Sequence, residues 1–170
     1  MGRINGFAVG GAIGFADGVS VSVPGVSSID TLIDSIFIPG GTFRAGDVIL
    51  IQASCIRSST SAGNMNVRLY WNETDDIITS PTLIGVVAGS TTDEYCPIYR
   101  NVAIVGNTTT IVINTGTTFE TDLTDNEGSE TSSGPSTITA INWNLDGYII
   151  VSASNGTNTT ITKNYLTIIR

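Results

Sequence analysis

The side chains that could carry out chemistry in this 170-residue chain are few, because the sequence contains no histidine and only two cysteines. Histidine is the commonest general base and a common metal ligand, so its absence removes the usual catalytic triad and the histidine-based metal sites. Neither cysteine has a histidine that could activate it as a nucleophile. Carboxylates are therefore the remaining option for catalysis.

The acidic residues fall in groups that the pattern places in loops, namely Glu73, Asp75 and Asp76; Asp93 and Glu94; and Glu120, Asp122, Asp125, Glu127 and Glu130. A glycosidase needs two carboxyl groups about 5 Å or about 6.5–9.5 Å apart. Calcium also prefers such oxygen ligands, but the run from Asp122 to Gly128 lacks the alternate-residue spacing of an EF-hand loop. We interpret these groups as solvated loop charge, and we predict no enzymatic activity, no metal and no cofactor.

Exposed aromatic side chains offer a second kind of site, because a ring can stack on a sugar. Trp71 alternates in phase with Val67 and Leu69, and Trp143 follows Ile141 in the same phase. Both tryptophans are therefore predicted to lie in the core.

Tyr70 and Arg68 share the opposite face of the same predicted strand and are the better surface candidates. Together with the loop residues Asp75 and Asp122, they are the predicted binding residues. A face with Tyr and Arg suits a subunit interface as well as a ligand, so both interpretations stay open.

Cys55 and Cys96 each lie in a strand-like run. Two small buried thiols are one interpretation. A disulfide is the other, in a chain that matures in an oxidising compartment, and sequence alone does not determine pairing.

The elements that must position these residues are predicted to be β-strands. Segments rich in β-branched residues alternate with turns that contain Gly, Pro or Asn, at 19–23, 31–38, 47–57, 65–72, 82–87, 94–105, 108–115, 137–144, 147–153 and 157–169. Turn signals about every ten residues are typical of a sandwich or barrel. We predict an all-β, jelly-roll-like antiparallel β-sandwich of about 8–10 strands over residues 19–170, with 119–136 as a long acidic loop.

The first eighteen residues differ from the rest, because a glycine recurs at every fourth position from Gly2 to Gly18. A small-xxx-small helix, a short membrane-active segment and a terminus without a role are alternatives. We favour an extended arm over residues 1–18 that docks its large side chains on a neighbouring subunit. The predicted anchoring residues are Phe7, Val9, Ile13 and Phe15.

The surface composition excludes two classes of partner. Only 13% of the residues are charged, the net charge is −8, and Lys163 is the only lysine. Nucleic-acid binding and docking on anionic membranes both need a basic face, and no apolar run reaches the roughly 20 residues of a membrane helix. A surface rich in hydroxyls and amides is typical of extracellular and virion β-proteins.

Three segments carry a resemblance to a known group of proteins: IPGGTFRAGDVILIQASCIRS at 38–58, NVRLYWN at 66–72 and YRNVAIVGNTTTIVI at 99–113. A proline-led turn, a T-F-x-x-G-D step into a strand, an R-L-Y strand, an aromatic-Arg strand and a Thr-rich hairpin follow in this order. The combination resembles β-sandwich modules of tailed-phage virion proteins, such as head fibres, capsid decoration proteins and tail-fibre domains. It covers roughly residues 30–170 and includes no catalytic residue.

This resemblance implies a non-enzymatic structural protein that is located in the virion. It implies a homotrimer with other virion proteins as partners, tethered through the N-terminal arm. A receptor- or carbohydrate-binding module at a fibre tip, with a host surface glycan as its ligand, is the alternative function.

Overall fold

The computed structural model of the protein describes residues 12–15, 20–24, 30–58, 64–89, 94–113 and 136–170, with the backbone alone for residues 12–15 and 136. Within these ranges every regular element is a β-strand, and none is a helix. The strands form two antiparallel sheets, one of seven strands and one of four, that pack against each other.

The larger sheet contains β1 (Ala12–Phe15), β2 (Ser20–Val23), β4 (Val48–Arg57), β7 (Tyr95–Ile104), β8 (Thr110–Val112), β9 (Ser136–Ile138) and β11 (Thr159–Ile169). Its order is β1-β11-β4-β7-β8-β9, and β2 pairs with the first half of β11 on the same edge as β1. The smaller sheet contains β3 (Thr31–Ile38), β10 (Gly147–Ser154), β5 (Asn66–Asn72) and β6 (Thr82–Ala88), in the order β3-β10-β5-β6.

The strand order is that of a jelly roll. Four strands of the larger sheet, β2-β11-β4-β7, pack on the four strands β3-β10-β5-β6, and the chain changes sheet at every connection from β2 to β7 except β5–β6. After β8 and β9 extend the larger sheet, the chain crosses to β10 and returns to β11. This arrangement is the double-sheet jelly roll, and it confirms the predicted fold class.

Each of the ten predicted segments overlaps one strand from β2 to β11, and β1 lies inside the predicted arm. Segment 137–144 is the least accurate, because only Ser136–Ile138 is a strand. The rest forms a turn, in which Asn142 Oδ1 accepts the Asn144 N–H at 3.1 Å and the Asn142 carbonyl accepts the Leu145 N–H at 3.1 Å. Asn residues favour such turns because their side chains bond to the nearby backbone.

The turn places Trp143 in the core at one end of the sandwich. Its ring lies 4.8 Å from that of Trp71 and 5.6 Å from that of Phe43 between centroids, and its Nε1 donates to Thr110 Oγ1 at 2.8 Å. The predicted core positions of both tryptophans are thus confirmed. A Cβ atom on Gly147 would lie 2.4 Å from Trp71 Cζ2, so the absence of a side chain there makes room for the ring.

The T-F-x-x-G-D step forms a tight turn that leads into β4. Asp47 Oδ2 accepts the Arg44 N–H at 2.8 Å, and Gly46 adopts a φ of 97° that favours glycine. The Gly46 N–H then donates to the Ile104 carbonyl at 2.7 Å. The turn therefore sets the register of β4 beside β7.

Candidate interaction surfaces

The predicted pair Arg68 and Tyr70 lies on the outer face of β5, where the chain's own Asp30 binds both side chains. Arg68 forms an ion pair with Asp30 and donates from Nη1 to Ser154 Oγ at 3.0 Å. The Tyr70 hydroxyl donates to Asp30 Oδ2 at 2.8 Å. Burial, and then this bond to a carboxylate, raises the pKa of Tyr70 to about 12.

These contacts give the pair a structural role. Asp30 directly precedes β3, and β10 lies between β3 and β5 in the smaller sheet. The two side chains therefore fasten the start of β3 across the outer face of β10. Both are half-buried, so only part of each remains accessible to a ligand.

Asp75 lies exposed in the loop between β5 and β6, next to a carboxylate that organises the loop. Asp76 Oδ1 accepts the N–H groups of Ile78 and Thr79 at 2.8 and 2.7 Å, and Oδ2 accepts the Thr74 hydroxyl at 2.7 Å. These hydrogen bonds, led by that from Thr79, hold the pKa of Asp76 below its usual range. Of the two carboxylates, Asp75 is the one that can meet a ligand.

Three of the predicted residues lie outside the described residues: Phe7, Val9 and Asp122. Ile13 and Phe15 lie in β1, opposite Ile168 and Leu166 of β11 in antiparallel register. This part of the predicted arm extends the larger sheet of its own chain.

Cys55 and Cys96 are opposite each other on β4 and β7, and both are fully buried thiols with no disulfide between them. Two residues along, the Arg57 N–H donates to the Glu94 carbonyl at 2.8 Å. Residue pairs along two antiparallel strands alternate between those whose backbones are hydrogen-bonded to each other and those whose backbones are not. Cys55 and Cys96 therefore form a pair of the first kind. The Cβ atoms of such a pair lie about 5.5 Å apart, which is beyond the roughly 3.5–4.5 Å that separates the Cβ atoms of a disulfide. Burial raises the pKa of Cys55 to about 12.

Most of the exposed large apolar side chains lie on the outer face of the larger sheet. Of the ten large hydrophobic side chains that are exposed among the described residues, six lie on this face: Val48, Ile56, Tyr99, Val105, Ile113 and Ile169. They alternate along their strands with fully buried residues that point into the sandwich.

The outward positions of β4, β7 and β11 contain no charged residue, and we refer to them as the uncharged face. Its members are Val48, Leu50, Gln52, Ser54, Ile56, Tyr95, Pro97, Tyr99, Asn101, Ala103, Thr160, Thr162, Asn164, Tyr165, Thr167 and Ile169. The outer face of the smaller sheet differs, because it carries the Arg68–Asp30 ion pair.

Three tyrosines cross the middle of the uncharged face. The hydroxyl oxygens of Tyr99 on β7 and Tyr165 on β11 lie 3.3 Å apart, and Tyr95 also hydrogen-bonds to Tyr165. Ser54 lies between them on β4 and is fully buried. Burial, and then the bonds from Tyr99 and Tyr95, raise the pKa of Tyr165 far above its usual range. These bonds therefore hold the Tyr165 hydroxyl in place in its protonated form.

The uncharged face is not among the sites predicted from the sequence, although a signal for it exists there. Between Tyr95 and Ala103, every second residue is uncharged, and the same holds between Val48 and Ile56. The pattern within each run predicts a strand but not a shared surface. Recognising one surface also requires the knowledge that β4 and β7 are neighbours.

Among the described residues, no group of three or more Cys, Asp or Glu side chains is arranged to hold a metal ion. In the same ranges, no helix has the length and hydropathy that a membrane crossing requires. The chain matches no protein-family model, no curated protein and no solved structure. The resemblance to tailed-phage virion modules therefore stays a prediction from its motifs.

Proposed function

We propose that this chain is a non-enzymatic structural protein of a virus particle, in which the sandwich decorates or projects from a capsid or tail. The observation that carries the proposal is the strand order, β2-β11-β4-β7 packed on β3-β10-β5-β6. Double-sheet jelly rolls recur in viral capsid domains, and also in lectins and cupins. The surface of this chain favours the first of these.

An assembling protein explains the unprotected surfaces. Lys163 is buried, so no described residue supplies the exposed lysine that usually blocks pairing at sheet edges. The edge strand β6, Thr82–Ala88, contains no charged residue. Neighbouring subunits in a particle would cover such edges and the uncharged face.

The arm is proposed to anchor the sandwich to neighbouring subunits. Since β1 lies at one edge of the larger sheet, the residues before it start from that edge. Phe7 and Val9 supply the large apolar side chains for a contact with a neighbour.

Light scattering of the full chain and of two truncated chains tests this proposal. One truncated chain begins at Ala12 and keeps β1 but lacks Phe7 and Val9, whereas the other begins at Val19 and lacks β1 as well. We expect the full chain to form a trimer. We expect the Ala12 chain to have a lower mass in solution, because it lacks the contact that Phe7 and Val9 make. A monomeric full chain whose arm is protease-sensitive and binds nothing would contradict the proposal.

A receptor- or carbohydrate-binding module is the alternative, and one observation favours it. Tyr99 is 41% exposed, with Gln52 opposite it on β4 and Asn101 on the same side of β7. An accessible ring beside amide groups suits a sugar, which offers both an apolar face and hydroxyls. Binding on a glycan array that is lost in Tyr99→Ala or Tyr70→Ala would support this function. Hydrolysis of any polysaccharide in a panel would instead contradict the non-enzymatic assignment.

A further inference from the structure

We propose that the uncharged face is the surface on which a second copy of this chain docks. The inference deepens the proposed function, on which it rests, because it assigns the self-contact of an assembling protein to named residues. The face is centred on Tyr99 and Tyr165 and bordered by Val48 and Ile56.

Charge decides in favour of a like copy. Each chain has a net charge of −8, so two copies repel each other, and an interface that brought their carboxylates together would bury like charges without compensation. The uncharged face lets two acidic copies touch without that cost. A basic partner would instead be attracted electrostatically to the acidic parts of the surface, and the uncharged face would offer it no such attraction.

The dimensions suit a specific contact. β4, β7 and β11 have 10, 10 and 11 residues, which gives a length of about 33 Å at about 3.3 Å per residue. Three strands are about 14 Å wide, and the short neighbours β1 and β8 widen the sheet to about 24 Å. Because β1 and β8 have only 4 and 3 residues, they add little area, and the face offers about 500–600 Å² per copy, which lies at the lower end of the roughly 600–1,000 Å² per partner of a specific interface.

The tyrosine side chains of the uncharged face are already ordered before any partner binds. Tyr and other aromatic residues are enriched at the centres of protein interfaces, where charged residues are depleted. The hydroxyls of Tyr95 and Tyr99 already hydrogen-bond to that of Tyr165. Little side-chain freedom is therefore lost when a partner covers the rings.

Light scattering of the full chain over a range of concentrations tests the inference, with two variants on the face and one matched control. Tyr99→Asp and Val48→Asp each place a charge on the face. Phe37→Asp places the same charge on the outer face of the smaller sheet, at a side chain of similar exposure, 45% against 41% for Tyr99. Thermal unfolding of each variant verifies that it is folded.

We expect the wild-type chain and Phe37→Asp to form the same oligomer. Tyr99→Asp and Val48→Asp should each weaken association at least tenfold. An oligomer that survives both face variants would overturn this interface and leave the proposed structural function standing. A wild-type chain that stays monomeric and binds a glycan through Tyr99 would overturn both in favour of the carbohydrate-binding alternative.

Discussion

The ammonium group of Lys163 on β11 forms an ion pair with the carboxylate of Asp34 on β3, so the only lysine of the chain joins the two sheets from inside. The Lys163 side chain is fully buried, whereas that of Asp34 is 27% exposed. β11 bulges between Lys163 and Tyr165, and this bulge shifts the alternation so that Lys163 and Leu166 both face the interior. A buried ammonium is costly without an opposite charge, so the ion pair with Asp34 offsets part of the cost of burying Lys163.

Asp34→Asn is expected to lower the free energy of unfolding by about 3 kcal/mol at pH 7, because it removes the carboxylate that pairs with the buried ammonium group. Lys163→Met should cost less, because the remaining Asp34 carboxylate reaches water. Urea unfolding of the three proteins measures both differences.

The double variant Lys163→Met with Asp34→Leu is the control for this pair. Hydrophobic residues of similar volume often replace a buried ion pair at no net cost. The double variant should therefore recover most of the stability that Asp34→Asn loses. An Asp34→Asn protein as stable as the wild type would show that the ion pair is dispensable.

The buried cysteines should be unreactive in the folded protein. Burial raises the pKa of Cys55 to about 12, so almost no thiolate exists at pH 8, and Cys96 is equally inaccessible to reagents. We expect a thiol reagent such as dithionitrobenzoate to label neither residue in the folded chain and both in denaturant without reductant. No labelling in denaturant, followed by two equivalents after reduction, would show a disulfide and contradict the register argument.

How far the sequence predicts this fold can be judged from two strands. Val67, Leu69 and Trp71 alternate with polar neighbours, and all three are buried as predicted, because a period of two is a local property of the chain. The burial of Lys163 was not predicted. Lys163 is in phase with the buried Ile161, but Leu166 and Ile168 face the same interior only because of the bulge at Asn164, so a regular alternation does not reveal which half of β11 is turned inward.

The candidate sites show the same limit over longer distances. The sequence places Arg68 and Tyr70 on one face of a strand, and this is confirmed. It does not reveal that Asp30 binds both, since Asp30 lies 38 residues before Arg68 in the chain and two strands away in the sheet. The strand order that brings Tyr95, Tyr99 and Tyr165 together is likewise a property of the assembled sheet.

Gly147→Ala should destabilise the aromatic end of the core. Its Cβ atom would lie 2.4–2.8 Å from three atoms of the Trp71 ring, which is itself packed against Trp143 and cannot retreat freely. Overpacking of a dense core typically costs about 1–3 kcal/mol, and we expect about 2 kcal/mol in thermal or chemical unfolding.

Gly106→Ala is the matched control, because a Cβ atom there meets only the Thr109 side chain at 3.8 Å. Its effect should stay within about 0.5 kcal/mol of the wild type. Equal losses for Gly147→Ala and Gly106→Ala would mean that backbone effects, and not the contact with Trp71, explain the need for glycine at position 147.

The hydrogen bond between Tyr70 and Asp30 should make stability depend on pH in the alkaline range. Tyr70→Phe removes this bond to a carboxylate and is expected to cost about 1–2 kcal/mol at pH 8. The pKa of Tyr70 in the folded chain, about 12, lies above its ordinary value of 10.0. The contribution of the hydroxyl is therefore fully present below about pH 10, and it is lost as the pH rises through 12.

Urea unfolding of the wild type and Tyr70→Phe at pH 8, 10 and 11.5 measures this dependence. The difference in unfolding free energy should be constant up to about pH 10 and should narrow above it, because only the wild type has a Tyr70 hydroxyl to ionise. In an Asp30→Ala background, the same substitution should cost less at pH 8, since the carboxylate that accepts the bond is gone. A difference that stays constant to pH 11.5 in the native background would show that Asp30 does not control the ionisation of Tyr70.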